Sequence, residues 1–261
     1  MNFVRQGSGA PALVFVHGFA CSLDDWKAQL DALSTSHEVV ACDLRGHGAT
    51  PGRPQECSIE HYGGDVAALV SHLGLSKAVL IGHSMGCRVV LEAARLEPER
   101  VAGMVLIDGS RQGMGDAAAA EHGARAAIEA AGYAAFMRPF FEAMFLGKSA
   151  RSQAVVERAL RLRAEVGAAL FPRMVRWDAE RMEAALQAIT WPVLAIQCTY
   201  VNTERKRVPL KAGETTPWLD LLGERLENLK VEILPGLGHF PQLEAAPQVS
   251  RLIGAFAAAR R

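Results

Sequence analysis

The chain has 261 residues, half of them apolar and 21% charged, with 28 basic side chains balancing 28 acidic ones. That length suits one α/β domain carrying an insertion, and the even charge excludes the basic footprint of a nucleic-acid binder. No run approaches about 18 uninterrupted apolar residues and no basic-then-apolar leader opens the chain, so no membrane span or secretion signal is expected and a cytoplasmic address follows by default. Five scattered cysteines, Cys21, Cys42, Cys57, Cys87 and Cys198, form no C-x-x-C pair and read as free thiols in a reducing compartment. The eight histidines form no H-E-x-x-H or similar cluster, so neither a metal nor a cofactor is expected.

In chain order, Phe3 to Arg5 reads as a short edge strand and Gly7-Ser8-Gly9-Ala10-Pro11 as a turn. Ala12 to Val16 is a buried strand running straight into His17-Gly18-Phe19-Ala20. Asp24, Asp25 and Trp26 open an amphipathic helix whose Trp26, Leu30 and Leu33 share a packing face. Glu38 to Cys42 is the next strand, ending in Asp43-Leu44-Arg45-Gly46-His47-Gly48, and Ile59 to Leu73 is a helix stopped by Gly74. The apolar run Ala78 to Ile81 is a strand, and the pattern turns helical from Arg88 to Ala94 before Glu97-Pro98 closes it. Between them Gly82-His83-Ser84-Met85-Gly86 fits the G-x-S-x-G nucleophile elbow, in which a serine sits on a sharp strand-to-helix turn.

Val101 to Ile107 is a further buried strand, terminating in Asp108-Gly109-Ser110. Strands alternating with helices predict βαβ units and a mostly parallel sheet, with functional groups at the carboxyl ends of the strands, where Phe19, Ser84 and Asp108 all fall. Residues 112–188 are alanine-rich and helical in period: Gly113 to Gly132, Phe136 to Phe145, Val155 to Val166, and Ala179 to Ala188 with Asp178 as N-cap. Phe136, Met137, Phe140, Phe141, Met144 and Phe145 form an aromatic and methionine cluster, suited both to packing this segment down and to lining an acyl pocket. Trp191 to Ile196 resumes the sheet, Val231 to Leu234 is its last strand, and Gly236-Leu237-Gly238-His239-Phe240-Pro241 precedes a closing helix from Pro247 to Ala259.

The H-G segment after an early strand, the serine elbow and the G-H-x-P segment after the last strand together resemble the α/β-hydrolase superfamily. The resemblance implies a mostly parallel central sheet flanked by helices, a core of residues 1–111 and 189–261, and a helical cap of residues 112–188 inserted after the strand ending at Asp108. It implies a Ser84 nucleophile, a His239 base, and an oxyanion hole made by the main-chain N–H groups of Phe19 and Met85. The D-x-R-G-x-G loop at Asp43 to Gly48 is similar to a family loop that braces the sheet, which gives His47 a structural role.

One segment departs from the family pattern. The loop that usually supplies the triad acid reads Gln197-Cys198-Thr199-Tyr200-Val201-Asn202-Thr203-Glu204-Arg205-Lys206-Arg207, without an aspartate. Two carboxylates therefore compete: Asp108, at the end of the strand after the nucleophile, and Glu204, inside the altered loop. Asp108 is favoured, because Glu204 reads as a solvated partner of the Arg205-Lys206-Arg207 run. The resulting expectation is a serine hydrolase, monomer or homodimer, acting on a small hydrophobic ester or lactone, with substrate contacts from His83, Phe136, Phe140, Phe141, Met144 and Phe145. A carbon–carbon bond hydrolase and a hydrolase-derived small-molecule receptor are the alternatives.

Overall fold

The computed structural model describes residues 1–202, 204 and 206–260. In chain order it contains strands β1 (Phe3–Gln6) and β2 (Ala12–Val16), helix α1 (Lys27–Leu33), β3 (Val39–Cys42), α2 (Ile59–His72), β4 (Ala78–His83), α3 (Met85–Leu96) and β5 (Val101–Ile107). Helices α4 (Ala117–Ala131), α5 (Tyr133–Glu142), α6 (Ala150–Ala159), α7 (Ala164–Glu180) and α8 (Met182–Gln187) follow without an intervening strand. The chain then forms β6 (Val193–Gln197), β7 (Thr199–Val201), β8 (Arg207–Pro209), α9 (Pro217–Arg225), β9 (Leu229–Ile233), α10 (Pro241–Glu244) and α11 (Ala246–Ala258).

The main sheet runs in the order β1-β3-β2-β4-β5-β6-β9, with β1 antiparallel to β3 and the remaining pairs parallel. Alternate residues of its inner strands feed two separate cores, as the two-residue period of a strand requires. Val14, Val16, Leu80, Met104, Leu106 and Ala195 face α2, α3 and the helical insertion. Leu13, Phe15, Val79, Ile81, Val105 and Ile196 face α1 and α11 through Trp26, Leu30, Val249 and Ile253. Helices on both faces explain why β2 to β6 read as unbroken apolar runs rather than alternating ones. Trp26 packs its ring 5.1 Å from that of Phe15, a role in the core.

Helix boundaries moved most within residues 112–188. Asp178 does not cap a new helix; it lies inside α7, fully buried, with both carboxylate oxygens on Arg88. Residues 167–177, left between the two expected helices, form the body of α7, which carries Pro172 inside it. Helix α3 begins three residues earlier than its periodicity suggests, because Ser84, at φ 54° and ψ −114°, turns the chain immediately after β4. The small β7–β8 hairpin and α9 were not read from the sequence, although Thr216-Pro217 is a helix-start signal and Thr216 Oγ1 accepts the N–H of Leu219 at 3.0 Å. No helix among the described residues is long and apolar enough to cross a membrane.

Candidate active site

The elbow is closed by two glycines at points of close backbone approach. A Cβ on Gly82 would lie 2.4 Å from the carbonyl oxygen of Gly86, and one on Gly86 would lie 2.3 Å from that of Val16. With those contacts possible only for glycine, the chain reverses at Ser84 in a positive-φ conformation costing about 1–3 kcal/mol, held by the Ser84 N–H on Ile107 O at 2.9 Å. Ser84 therefore stands just ahead of Met85, the first residue of α3, whose N–H has no acceptor one turn back within the helix. Gly18 lies against it: a side chain there would meet Ser84 Cβ at 3.3 Å, and Phe19 lines the same cavity as Ser84.

The structure brings Ser84, His239 and Asp108 together. Ser84 Oγ lies 2.8 Å from His239 Nε2, and His239 Nδ1 lies 2.6 Å from Asp108 Oδ2. A hydrogen on Nδ1 donated to the carboxylate leaves Nε2 free to accept the serine proton. The His239 loop is fixed on all sides: its N–H donates to Met144 O at 2.7 Å, and its carbonyl accepts from His83 Nε2 at 2.7 Å. Glu244 accepts from the N–H groups of Gly238 at 3.0 Å and Phe240 at 3.3 Å. Glu244 was not singled out from the sequence; a carboxylate a few residues past a G-H-x-P loop has no residue-level signature.

Asp108 is fully buried and richly supported. Oδ1 accepts the N–H groups of Cys198 at 2.7 Å and Thr199 at 2.8 Å, and Oδ2 accepts the Thr199 hydroxyl at 2.5 Å as well as His239. Burial pushes the Asp108 carboxyl upward, opposed by Arg207, Thr199 and these main-chain donors. His239 is held well below the usual histidine range by burial and by the charges of Arg207 and Arg88, so its imidazole is neutral near pH 7. Glu204 is exposed and pairs with Lys206 at 2.9 Å. Arg205 lies outside the described residues, while Arg207 is buried and donates to Thr199 Oγ1 at 2.7 Å. The basic run thus divides into a solvated member and a buried one.

The bracing loops use their histidines as acceptors. His17 Nε2 takes the Leu44 N–H at 3.1 Å, and His47 Nε2 takes the Ala20 N–H at 3.2 Å, each with Nδ1 on a carbonyl. Asp43 takes the N–H groups of Leu23 and Ala49 at 2.8 and 2.9 Å, tying the same loops together. Cys87 is buried at the start of α3, its thiol on Gly82 O.

Two hollows adjoin these elements. The larger, about 1040 Å³, opens between residues 20–24, 46–56 and 158–163 and contains neither Ser84 nor His239. The smaller, about 20 Å³, contains both, and chemistry rather than size identifies it as the site. Its walls are Phe19, Phe140, Phe141, Met144, Met174 and Phe240 on the apolar side, with Arg88, Ser110, Gln112 and Arg207 as polar neighbours. It has room for about one water-sized group. Of the other expected contacts, His83 reaches the cavity but spends Nε2 on the His239 carbonyl. Phe136 and Phe145 stand one layer back, against Phe140 and Phe171 and against Phe240. No cluster of three or more histidine, cysteine or carboxylate side chains that could hold a metal occurs among the described residues.

The sequence matches the alpha/beta hydrolase family over residues 13–252. Among curated proteins, it is 30% identical over 267 residues to the dihydrolipoyllysine-residue acetyltransferase component of the acetoin cleaving system of Pseudomonas putida, covering 97% of this chain and 65% of that one. The chain spans less than two thirds of the length of the first curated relatives it matches. Among solved structures, a thermophilic esterase from Thermogutta terrifontis superposes with a TM-score of 0.79 at 24% identity, over 98% of this chain and 92% of that one. The enol-lactonase from Burkholderia xenovorans LB400 superposes with a TM-score of 0.76 at 19% identity, over 98% and 95%.

Proposed function

The chain belongs to the alpha/beta hydrolase family, and from that premise we propose that it is a serine hydrolase cleaving a carboxylic ester or lactone through an acyl-enzyme. The observation that carries this reading is the single imidazole, His239, bridging Ser84 Oγ at 2.8 Å and Asp108 Oδ2 at 2.6 Å. Ser84 Oγ attacks the substrate carbonyl as His239 Nε2 takes its proton, and the imidazolium is stabilised by the buried Asp108 carboxylate. The main-chain N–H groups of Phe19 and Met85 donate to the tetrahedral oxygen, the Met85 donor reinforced by the positive end of α3. His239 then protonates the leaving alcohol, and water repeats the sequence on the acyl-enzyme, returning the acid and free Ser84.

The helices of residues 112–188 act as a cap over a core of residues 1–111 and 189–261. Phe140, Phe141 and Met144 supply the apolar wall for the acyl group, with Phe136 packed on Phe140 and Phe145 stacked on Phe240. The esterase and the enol-lactonase that share the fold are consistent with this substrate class. Burst kinetics with short p-nitrophenyl esters and a lactone panel test the proposal. Ser84→Ala is expected to lose on the order of a million-fold in kcat; retained turnover in that variant would remove Ser84 from the chemistry.

A further inference from the structure

The active cavity is bordered by two buried guanidinium groups that are spent very differently. Arg88 uses all three nitrogens: Nε and Nη2 on Asp178 at 2.6 and 2.7 Å, Nη2 also on Ser110 O at 2.7 Å, and Nη1 on Ser84 O at 3.3 Å. Arg207, whose side chain is 8% exposed, uses only Nη1, on Thr199 Oγ1 at 2.7 Å and on Asp108 Oδ2 at 3.5 Å. Its Nε and Nη2 have no partner among the described residues, and neither belongs to the sealed polar atoms left unpaired. Asp108 cannot absorb this charge more closely. Its two oxygens already take two main-chain N–H groups, a hydroxyl and the His239 ring.

The Nε and Nη2 edge of Arg207 is therefore not sealed from solvent, and a planar anion placed across it gains a bidentate, charge-assisted contact at the border of the cavity. Gln112 and Ser110 line the same cavity, together with its aromatic and methionine side chains. Resting on the ester-hydrolase reading of this site, we propose that the natural acyl substrate carries a second, free carboxylate, which docks on the Nε and Nη2 edge of Arg207. The substrate class is then a half-ester of a short dicarboxylic acid, or a lactone bearing a carboxylate. The acyl–oxygen bond is broken, one water is consumed, and the anchoring carboxylate leaves unchanged.

The test compares p-nitrophenyl hydrogen glutarate with p-nitrophenyl valerate, matched in chain length and differing in the terminal carboxylate, on wild type, Arg207→Gln and Arg207→Lys. Wild type is expected to prefer the glutarate ester by about tenfold or more in kcat/KM. Arg207→Gln should erase that preference chiefly through KM, and Arg207→Lys should restore part of it. Inhibition of valerate-ester turnover by free glutarate, but not by valerate, gives the same readout in wild type without any variant. Equal kcat/KM for the two esters in wild type, or an equal fall of both in Arg207→Gln, would overturn the proposal and leave Arg207 as support for Asp108. Labelling of Ser84 by a fluorophosphonate separates that outcome from failure of the hydrolase reading, in which neither labelling nor turnover of either ester would be seen.

Discussion

The Arg88 guanidinium meets the Asp178 carboxylate in a fork at 2.6 and 2.7 Å, with both side chains almost wholly buried. The pair ties α3, which begins directly after Ser84, to α7 of the helical insertion, and Asp178 Oδ2 also accepts the Gln112 N–H at 2.6 Å. Its geometry makes the two side chains interdependent. Asp178→Ala strands a buried cation and is expected to cost about 3–5 kcal/mol, read as a lowered urea midpoint. Adding Arg88→Met to Asp178→Leu should recover much of that loss but not all, because Ser84 O, Ser110 O and the Gln112 N–H then lose partners. A double variant as unstable as Asp178→Ala would show that the pair's hydrogen bonds, not the stranded charge, dominate.

The choice between carboxylates is open to the same treatment. Fully buried Asp108 has Oδ2 2.6 Å from His239 Nδ1 just past the end of β5, whereas Glu204 is exposed and paired with Lys206. Asp108→Asn is expected to lower kcat by about ten-thousandfold, since an amide turns the imidazole towards the wrong tautomer. Glu204→Gln should leave kcat within about twofold, as an exposed pair of this kind contributes little. The reverse ranking, measured on one ester with both proteins checked for fold, would transfer the acid role to the loop.

Much of this arrangement was legible because it rests on local sterics. Gly82 and Gly86 flank Ser84 for reasons a turn dictates, and strands β2 and β5 have the bounds their apolar runs suggest. What was not legible depends on long-range partners. Asp178 looks like a cap until Arg88, 90 residues away, is brought to it, and Arg207 looks like part of a solvated run until the β7–β8 hairpin turns it beneath Thr199. Thr199 itself, bonded to Asp108 through both its N–H and its hydroxyl, carries no signal in the sequence beyond lying in the loop that departs from the family pattern.

The pH dependence follows from the surroundings of His239. Its ring faces Asp108, Ser84 and His83, and burial first, then Arg207 and Arg88, favour the neutral imidazole. The base is lost only on protonation, so the ascending limb of kcat/KM on a neutral ester is expected below pH 6.5. Arg207→Gln removes one of the charges that disfavour the imidazolium, so the limb should move up in pH. A limb unmoved by that substitution would mean that burial and Arg88 set the titration without Arg207.

Gly86 offers a test of how the elbow and the oxyanion hole are coupled. A methyl group at this position would lie 2.3 Å from Val16 O and 2.9 Å from His17 O, so relief requires the end of β2 to move away from α3. That strand end leads directly into Gly18-Phe19, so the displacement is expected to carry the Phe19 N–H away from the place the proposed mechanism gives it. Gly86→Ala is therefore expected to destabilise by about 1–3 kcal/mol and, in the fraction that stays folded, to lower kcat by about a hundredfold, the usual cost of one lost oxyanion donor. Gly223→Ala is the matched control: it lies in α9 with open space where its Cβ would sit, and alanine there should be neutral or stabilising by up to about 1 kcal/mol. If Gly86→Ala lost stability while the folded protein kept its full kcat, strand β2 would be yielding without moving Phe19, and the coupling between elbow and oxyanion hole would have to be placed elsewhere.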